Sequence, residues 1–183
     1  MKQRLWYILT QFDFVLYMVG LTNMFVVVTG IQYWCTDYFM NVLGTPQKQA
    51  FSLFLFVGAV GPTLGIVTAG TVFDKMGGYL GPNAIPVCCL SGFVAMVAGL
   101  FAAHLDSPTQ VAACLTLQLF CGGFTMPAAT GIMLNFVPPN MRTMANSIAN
   151  LSYNLFGYLP APLLYGIAYE YGGHGSHAGM WTI

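Results

Sequence analysis

Long apolar runs alternate with short polar breaks from one end of the chain to the other. The runs cover roughly residues 14–39, 50–73, 82–103, 109–135 and 143–169. A helix crosses the hydrocarbon core of a bilayer in about 20 residues, so each run is long enough for one span. The breaks are Leu43-Gly-Thr-Pro-Gln-Lys48, Asp74-Lys-Met-Gly-Gly-Tyr-Leu-Gly-Pro82, His104-Leu-Asp-Ser-Pro108 and Val137-Pro-Pro-Asn-Met-Arg142. Charge, glycine and proline are helix punctuation. A membrane barrel would instead alternate polar and apolar positions over about ten residues. The pattern predicts an all-α, polytopic transmembrane bundle of five spans in a single unit.

Polar positions within the runs are few and ordered. At about 100° per residue, Thr143, Asn146, Ser147, Asn150, Asn154, Gly157 and Ala161 share one arc of the fifth span, opposite Ile148, Leu155 and Leu159. An unpaired amide in hydrocarbon costs several kcal/mol, so these asparagines must face other helices or water. Three in a row exceed what interhelical bonding normally supplies, at about 0.6 kcal/mol each. The arc therefore reads as a water-filled or substrate-lined face. Thr22, Thr29 and Gln32 make a weaker stripe on the first span, with Asn23 nearby, and Gln118, Thr125 and Asn135 dot the fourth. On the second span, Gly61, Gly65 and Ala69 form a smooth face that lets helices approach closely. Pro62 among them leaves two readings open, packing alone or a bendable helix beside a moving cavity.

Composition narrows the class. Hydrophobic residues make up 57% and charged residues 5% of the 183, where soluble domains carry about 25% charge. That supply cannot clothe a water-soluble surface, and it leaves no basic face for nucleic acid. The partner is the lipid bilayer. The cations fall unevenly: Lys2, Arg4, Lys75 and Arg142 on one side, Lys48 on the other. The positive-inside rule then predicts a cytoplasmic amino terminus. Trp34, Tyr33 and Tyr38 at the outer end of the first span, with Trp6 and Tyr7 at the inner end, fit interfacial belts. The first run is too long for a cleaved signal core, and neither end carries a lipidation motif.

The residues do not suggest an enzyme. Cys35, Cys88, Cys89, Cys114 and Cys121 form no C-x-x-C pair and sit in apolar runs as small hydrophobes. Histidines lie outside the spans or at their rim, which disfavours haem. His174-Gly-Ser-His177 reads as a solvated loop rather than a metal site, and Asn150-Leu-Ser152 is a glycosylation sequon placed mid-membrane. No serine, histidine and acid grouping suggests catalysis, and no cofactor is expected.

One segment is more specific. Gly70-Thr-Val-Phe-Asp74-Lys75-Met-Gly77-Gly78-Tyr79 resembles the G-x-x-x-D-(R/K)-x-G-(G/R) signature of the major facilitator superfamily, found between the second and third helices of each six-helix half. Gly70 would allow close helix approach, Asp74 would pair with a cation or cap a neighbouring helix, and Gly77-Gly78 would turn the chain. Phe25-Val-Val-Val-Thr-Gly30-Ile-Gln-Tyr-Trp34, Val137-Pro-Pro-Asn-Met-Arg142-Thr-Met-Ala-Asn146 and Leu155-Phe-Gly157-Tyr-Leu-Pro160-Ala-Pro162 resemble segments of spinster-like transporters, with organic-anion-transporting polypeptides close behind. The resemblance makes the five spans helices seven to eleven of that fold. It implies alternating access by two halves rocking about a midplane site.

The expected function is transport of a small amphipathic or lipid-like solute or an organic anion, as part of a longer or assembled transporter. Its partners would be the missing half or other membrane subunits. Thr29, Gln32, Trp34, Asn146, Asn150 and Asn154 are the candidate cavity wall. Gly70, Asp74, Lys75, Gly77, Gly78 and Arg142 are candidates for the loop motif and an inner gate, and Gly61, Pro62 and Gly65 for bending or packing. With no acid deep in a span, proton coupling would fall to the missing half. The alternative is a non-transporting structural subunit of a larger membrane complex.

Overall fold

Proline and glycine set the helix boundaries. In the computed structural model, which describes residues 2–172, all regular structure is helical and no strand occurs among those residues. Helix α1 (Lys2–Thr10) is separated by Gln11, whose backbone is extended, from α2 (Phe12–Asp37), which continues as a π-helical turn over Tyr38–Val42. Helix α3 (Gln47–Lys75) follows Pro46. Helix α4 (Ala84–Ala102) comes next, and α5 (Pro108–Asn135) opens on a proline at its first turn, where the missing N–H costs nothing. A 3₁₀ turn (Pro139–Met141) leads into α6 (Arg142–Ser152), a π-helical stretch (Tyr153–Tyr158) and α7 (Pro160–Gly172).

Four unbroken helical stretches are long and apolar enough to cross a membrane: Phe12–Val42, Gln47–Lys75, Ala84–Ala102 and Pro108–Asn135. The fifth apolar run is helical but divided. Pro160 and Pro162 lack N–H donors, and the chain compensates with wider bonding, the Leu159 N–H donating to the Asn154 carbonyl at 3.2 Å. The amino-terminal segment adds a helix that the apolar pattern does not predict. Helix α1 buries Ile8 in a cluster with Phe14, Val137 and Ala145.

Helix α5 lies between α3 and α4 and packs on both, while α2 touches α5 and runs along the α6–π–α7 segment. Small residues decide how close α3 and α5 come. A Cβ added at Gly61 would stand 2.8 Å from the Thr116 carbonyl oxygen, and one at Gly123 would stand 2.6 Å from that of Pro62. At Gly65 it would collide with the Phe120 carbonyl. Helix α3 runs unbroken through Pro62, so this stretch packs backbone against backbone. Gly70 does not share that role: a Cβ there meets nothing within 4 Å, and the buried small residue is its neighbour Ala69. The reason is register, since Gly61, Gly65 and Ala69 follow the four-residue row and Gly70 lies one position off it.

The α6–α7 segment buries a row at four-residue spacing: Ala145, Ala149, Tyr153, Gly157, Ala161 and Tyr165. On a 3.6-residue helix such a row drifts by about 40° per step. The wider π turn absorbs part of that drift and keeps the row against α2. Gly157 sits where its Cβ would be 2.8 Å from Phe25 Cβ, and the Phe25 ring stacks on Tyr153 with centroids 4.8 Å apart.

Candidate functional site

The polar arc of the fifth run divides at the π turn. Thr143, Asn146, Ser147, Asn150 and Asn154 are exposed, whereas Gly157 and Ala161 are buried. The π turn is the cause: Gly157 and Ala161 fall into the packed row instead of continuing the arc. The asparagines stand one position, about 100°, around from that row. Their side chains are ordered along the helix. The Asn150 amide donates to the Asn146 carbonyl at 2.9 Å, and the Asn154 amide donates to the Asn150 carbonyl at 2.7 Å. Each bond uses the N–H₂ group and leaves the side-chain oxygen of Asn150 and Asn154 without a partner among the described residues. The Ser147 hydroxyl donates to the Thr143 carbonyl at 3.0 Å. No charged side chain interrupts the row between Arg142 and Asn154.

The candidates on α2 behave differently from one another. Gln32 is exposed and makes no side-chain hydrogen bond among the described residues. Thr29 is buried, with its hydroxyl donating to the Phe25 carbonyl at 2.7 Å. Trp34 is half-buried and tied to α7. Its indole N–H donates to the Pro162 carbonyl at 3.2 Å, and its ring stacks on Tyr165 at 4.7 Å between centroids. Thr29 and Trp34 thus spend their polar atoms inside the bundle. Asp37 near the end of α2 accepts the Asn41 amide at 2.6 Å.

The loop after α3 adopts the tight turn that its glycines suggest. Gly77 and Gly78 have φ of +87° and +88°, a region open to glycine and strained for other residues. Gly78 N–H donates to the Phe73 carbonyl at 2.8 Å, closing the helix end. Asp74 and Lys75 are exposed and form no ion pair among the described residues. Arg142 stands beside this loop. Gly77, Gly78, Tyr79, Asn135 and Arg142 line one open recess of about 440 Å³. The Arg142 guanidinium donates to the Asn135 side-chain oxygen at 3.0 Å and, more weakly, to the Val137 carbonyl at 3.4 Å. The structure therefore brings Arg142 to the glycine turn, although the two are far apart in sequence.

Two further polar contacts are not legible from spacing. The Thr22 and Ser152 hydroxyls lie 3.2 Å apart, joining α2 to α6, and Ser91 on α4 donates to the Cys121 carbonyl of α5 at 3.2 Å. Asn23, Gln118 and Thr125 share a cavity away from the asparagine row. His174 and His177 lie outside the described residues, as does Trp181.

The sequence model of the Major Facilitator Superfamily matches residues 2–162. Among curated proteins and solved structures no match is found. The matched region takes in α1 to α6, the glycine turn and the π turn. With agreement over that much of its length, the chain belongs to the Major Facilitator Superfamily, a family of membrane transporters.

Proposed function

We propose that the chain supplies one wall of a pathway for an amphipathic or lipid-like solute, moved by alternating access within a longer or assembled transporter. The observation that carries this reading is the exposed row Asn146, Asn150 and Asn154: the amides of Asn150 and Asn154 bond along the helix, and their side-chain oxygens are left without a partner among the described residues. Unpartnered acceptors in a membrane protein need water, solute or another polar surface. A row of neutral amides can hydrogen-bond a polar group without demanding an opposite charge. That suits an amphipathic solute, since the cation at the end of the row, Arg142, is engaged with Asn135 and the Val137 carbonyl. Gln32 extends the wall on α2, while Thr29 and Trp34 support it from behind.

The inner recess would act as a gate. Arg142, Asp74 and Lys75 sit beside the rigid Gly77-Gly78 turn, where a partner half could form ion pairs in one state and release them in the other. The resemblance to spinster-like transporters supports the same solute class.

Changing Asn150 and Asn154 together to leucine in the full-length protein, reconstituted in liposomes, tests the reading. Uptake of a fluorescent amphipathic substrate should fall about tenfold or more, with normal expression and unfolding temperature. Unchanged uptake would sink it and favour the structural subunit. Peptide mapping of the native protein provides the companion measurement. Sequence for a further set of spans in the same chain or a tightly bound subunit supports the transporter. Its absence supports the subunit.

A further inference from the structure

The fifth run encodes two helical registers. At about 100° per residue a regular helix sets Asn150 and Asn154 on one face with Gly157 and Ala161. The structure separates them, because the π turn over Tyr153–Tyr158 keeps Ala149 and Tyr153 buried and leaves the asparagines exposed. A π turn is one extra residue held within a helix. Moved along the chain, it turns only the residues it passes. Moved from 153–158 to the turns before Asn150, it would carry Asn150 and Asn154 round by about 100° to the side facing α2. Both ends of the segment would stay where they are.

Those ends are held. At one, the Arg142 guanidinium donates to the Asn135 side-chain oxygen at 3.0 Å. At the other, the Trp34 indole donates to the Pro162 carbonyl at 3.2 Å and its ring stacks on Tyr165. Three features between them lower the cost of moving the turn. A regular helix would bond the N–H groups of residues 160 and 162 to the Phe156 and Tyr158 carbonyls, and both residues are proline. The regular register therefore gains little over the π turn there. While the turn moves, each carbonyl passes from the N–H four residues on to the one five residues on. The Asn150 amide already donates to the Asn146 carbonyl at 2.9 Å, and the Asn154 amide to that of Asn150 at 2.7 Å. Both carbonyls thus stay bonded through the exchange. The third feature is packing. The cluster around Ala149 and Tyr153 contains Met18, Met24, Met126, Met133, Met141 and Met144, flexible side chains that refill a changed space. The cluster joining α3, α4 and α5 has no methionine among the described residues.

We propose that the π turn travels along α6 and so opens and closes the asparagine face. With the turn at Tyr153–Tyr158, Asn150 and Asn154 are exposed. With the turn nearer Arg142, they are withdrawn against α2 and Tyr153 leaves its place on Phe25. As control of a solute path this rests on the reading of the row as a wall; the movement itself does not.

The test uses the full-length protein in phosphatidylcholine vesicles and two cysteine pairs, with linked peptides identified by mass spectrometry after mild oxidation. Thr22→Cys with Ser152→Cys reports the turn where it stands, since those hydroxyls lie 3.2 Å apart. Met18→Cys with Asn150→Cys reports the moved turn, in which Asn150 takes the place of Ala149 in the cluster that includes Met18. The first pair should close fast, and the second slowly but to completion. Pro160→Ala with Pro162→Ala restores the N–H donors of a regular helix, and should speed the second pair about tenfold while slowing the first. Asn154→Leu removes the amide that covers the Asn150 carbonyl. It should slow the second pair by about three- to tenfold and spare the first. A second pair that never closes overturns the inference. So does one that closes at the same rate in all variants, or one that speeds together with the first, since α6 is then loose rather than switched. No solute enters these readings. Unchanged uptake in the test above would overturn the wall alone, and a failed second pair would overturn the moving turn alone.

Discussion

Gly65 has no room for even a methyl group, because its Cβ would enter the Phe120 carbonyl. Gly65→Ala should therefore force α3 and α5 apart and cost about 1–3 kcal/mol or more. Gly20→Ala, where a Cβ meets nothing within 4 Å, should be neutral or stabilise by up to about 1 kcal/mol. The buried thiols of Cys35 and Cys121 report the difference, since a thiol-reactive dye in a detergent melt reads their exposure. Trp34 offers a second residue-level test. Trp34→Phe retains an aromatic ring to stack on Tyr165 but loses the bond to the Pro162 carbonyl, so it should cost about 1 kcal/mol in the same melt. Gly61 and Gly65 could be read from the sequence as a packing face, because small residues four apart have one common use in lipid. Their partner Gly123 could not, because nothing local marks which helix it will meet. Gly70 belongs to the motif yet packs on nothing within reach, a reminder that a signature position need not be a contact position.

At the scale of the element, the π turn of residues 153–158 decides which side chains face outward. A regular helix would carry Gly157 and Ala161 round with the asparagines, and 100° spacing predicts that arrangement. The wider turn sends both to α2 instead. Proline at 160 and 162 hints at an irregularity, but its type depends on bonds made across six residues. Deleting Leu155 removes the extra residue and should rotate α7 by about 100° relative to α6. Ala161→Cys, buried in the intact chain, should then react with N-ethylmaleimide at least as fast as an exposed Asn150→Cys. If Ala161→Cys stays protected in the deletion variant, the π turn is not what sets the register.

For the whole molecule, the apolar runs mark where the long helices lie, but they miss α1 and the division of the fifth run, and they do not say who neighbours whom. The faces of α4 are nearly all apolar, so no stripe announces that it will pack on α5. Charge does better, because charges collect at helix ends. The turn after α3 and the start of α6 meet at one end, with Asp74, Lys75 and Arg142. Lys48, which opens α3, and Asp106, which precedes α5, lie at the other. Single cysteines at Lys48 and Lys75 in sealed vesicles should be modified by a membrane-impermeant maleimide from opposite sides, with Lys75 reached from the cytoplasmic one. Labelling of both from one side would break the topology. The glycine seam between α3 and α5 has a further consequence. Contact made by backbone atoms involves no rotamers, and it is flanked by buried side chains, Val57 with Leu119 on one side and Phe73 with Phe124 on the other, so it has few ways to loosen. That pair should act as a stiff keel, extracted intact by detergents that loosen the rest. Any rocking within the bundle would then pass through the joint where α2 meets α5.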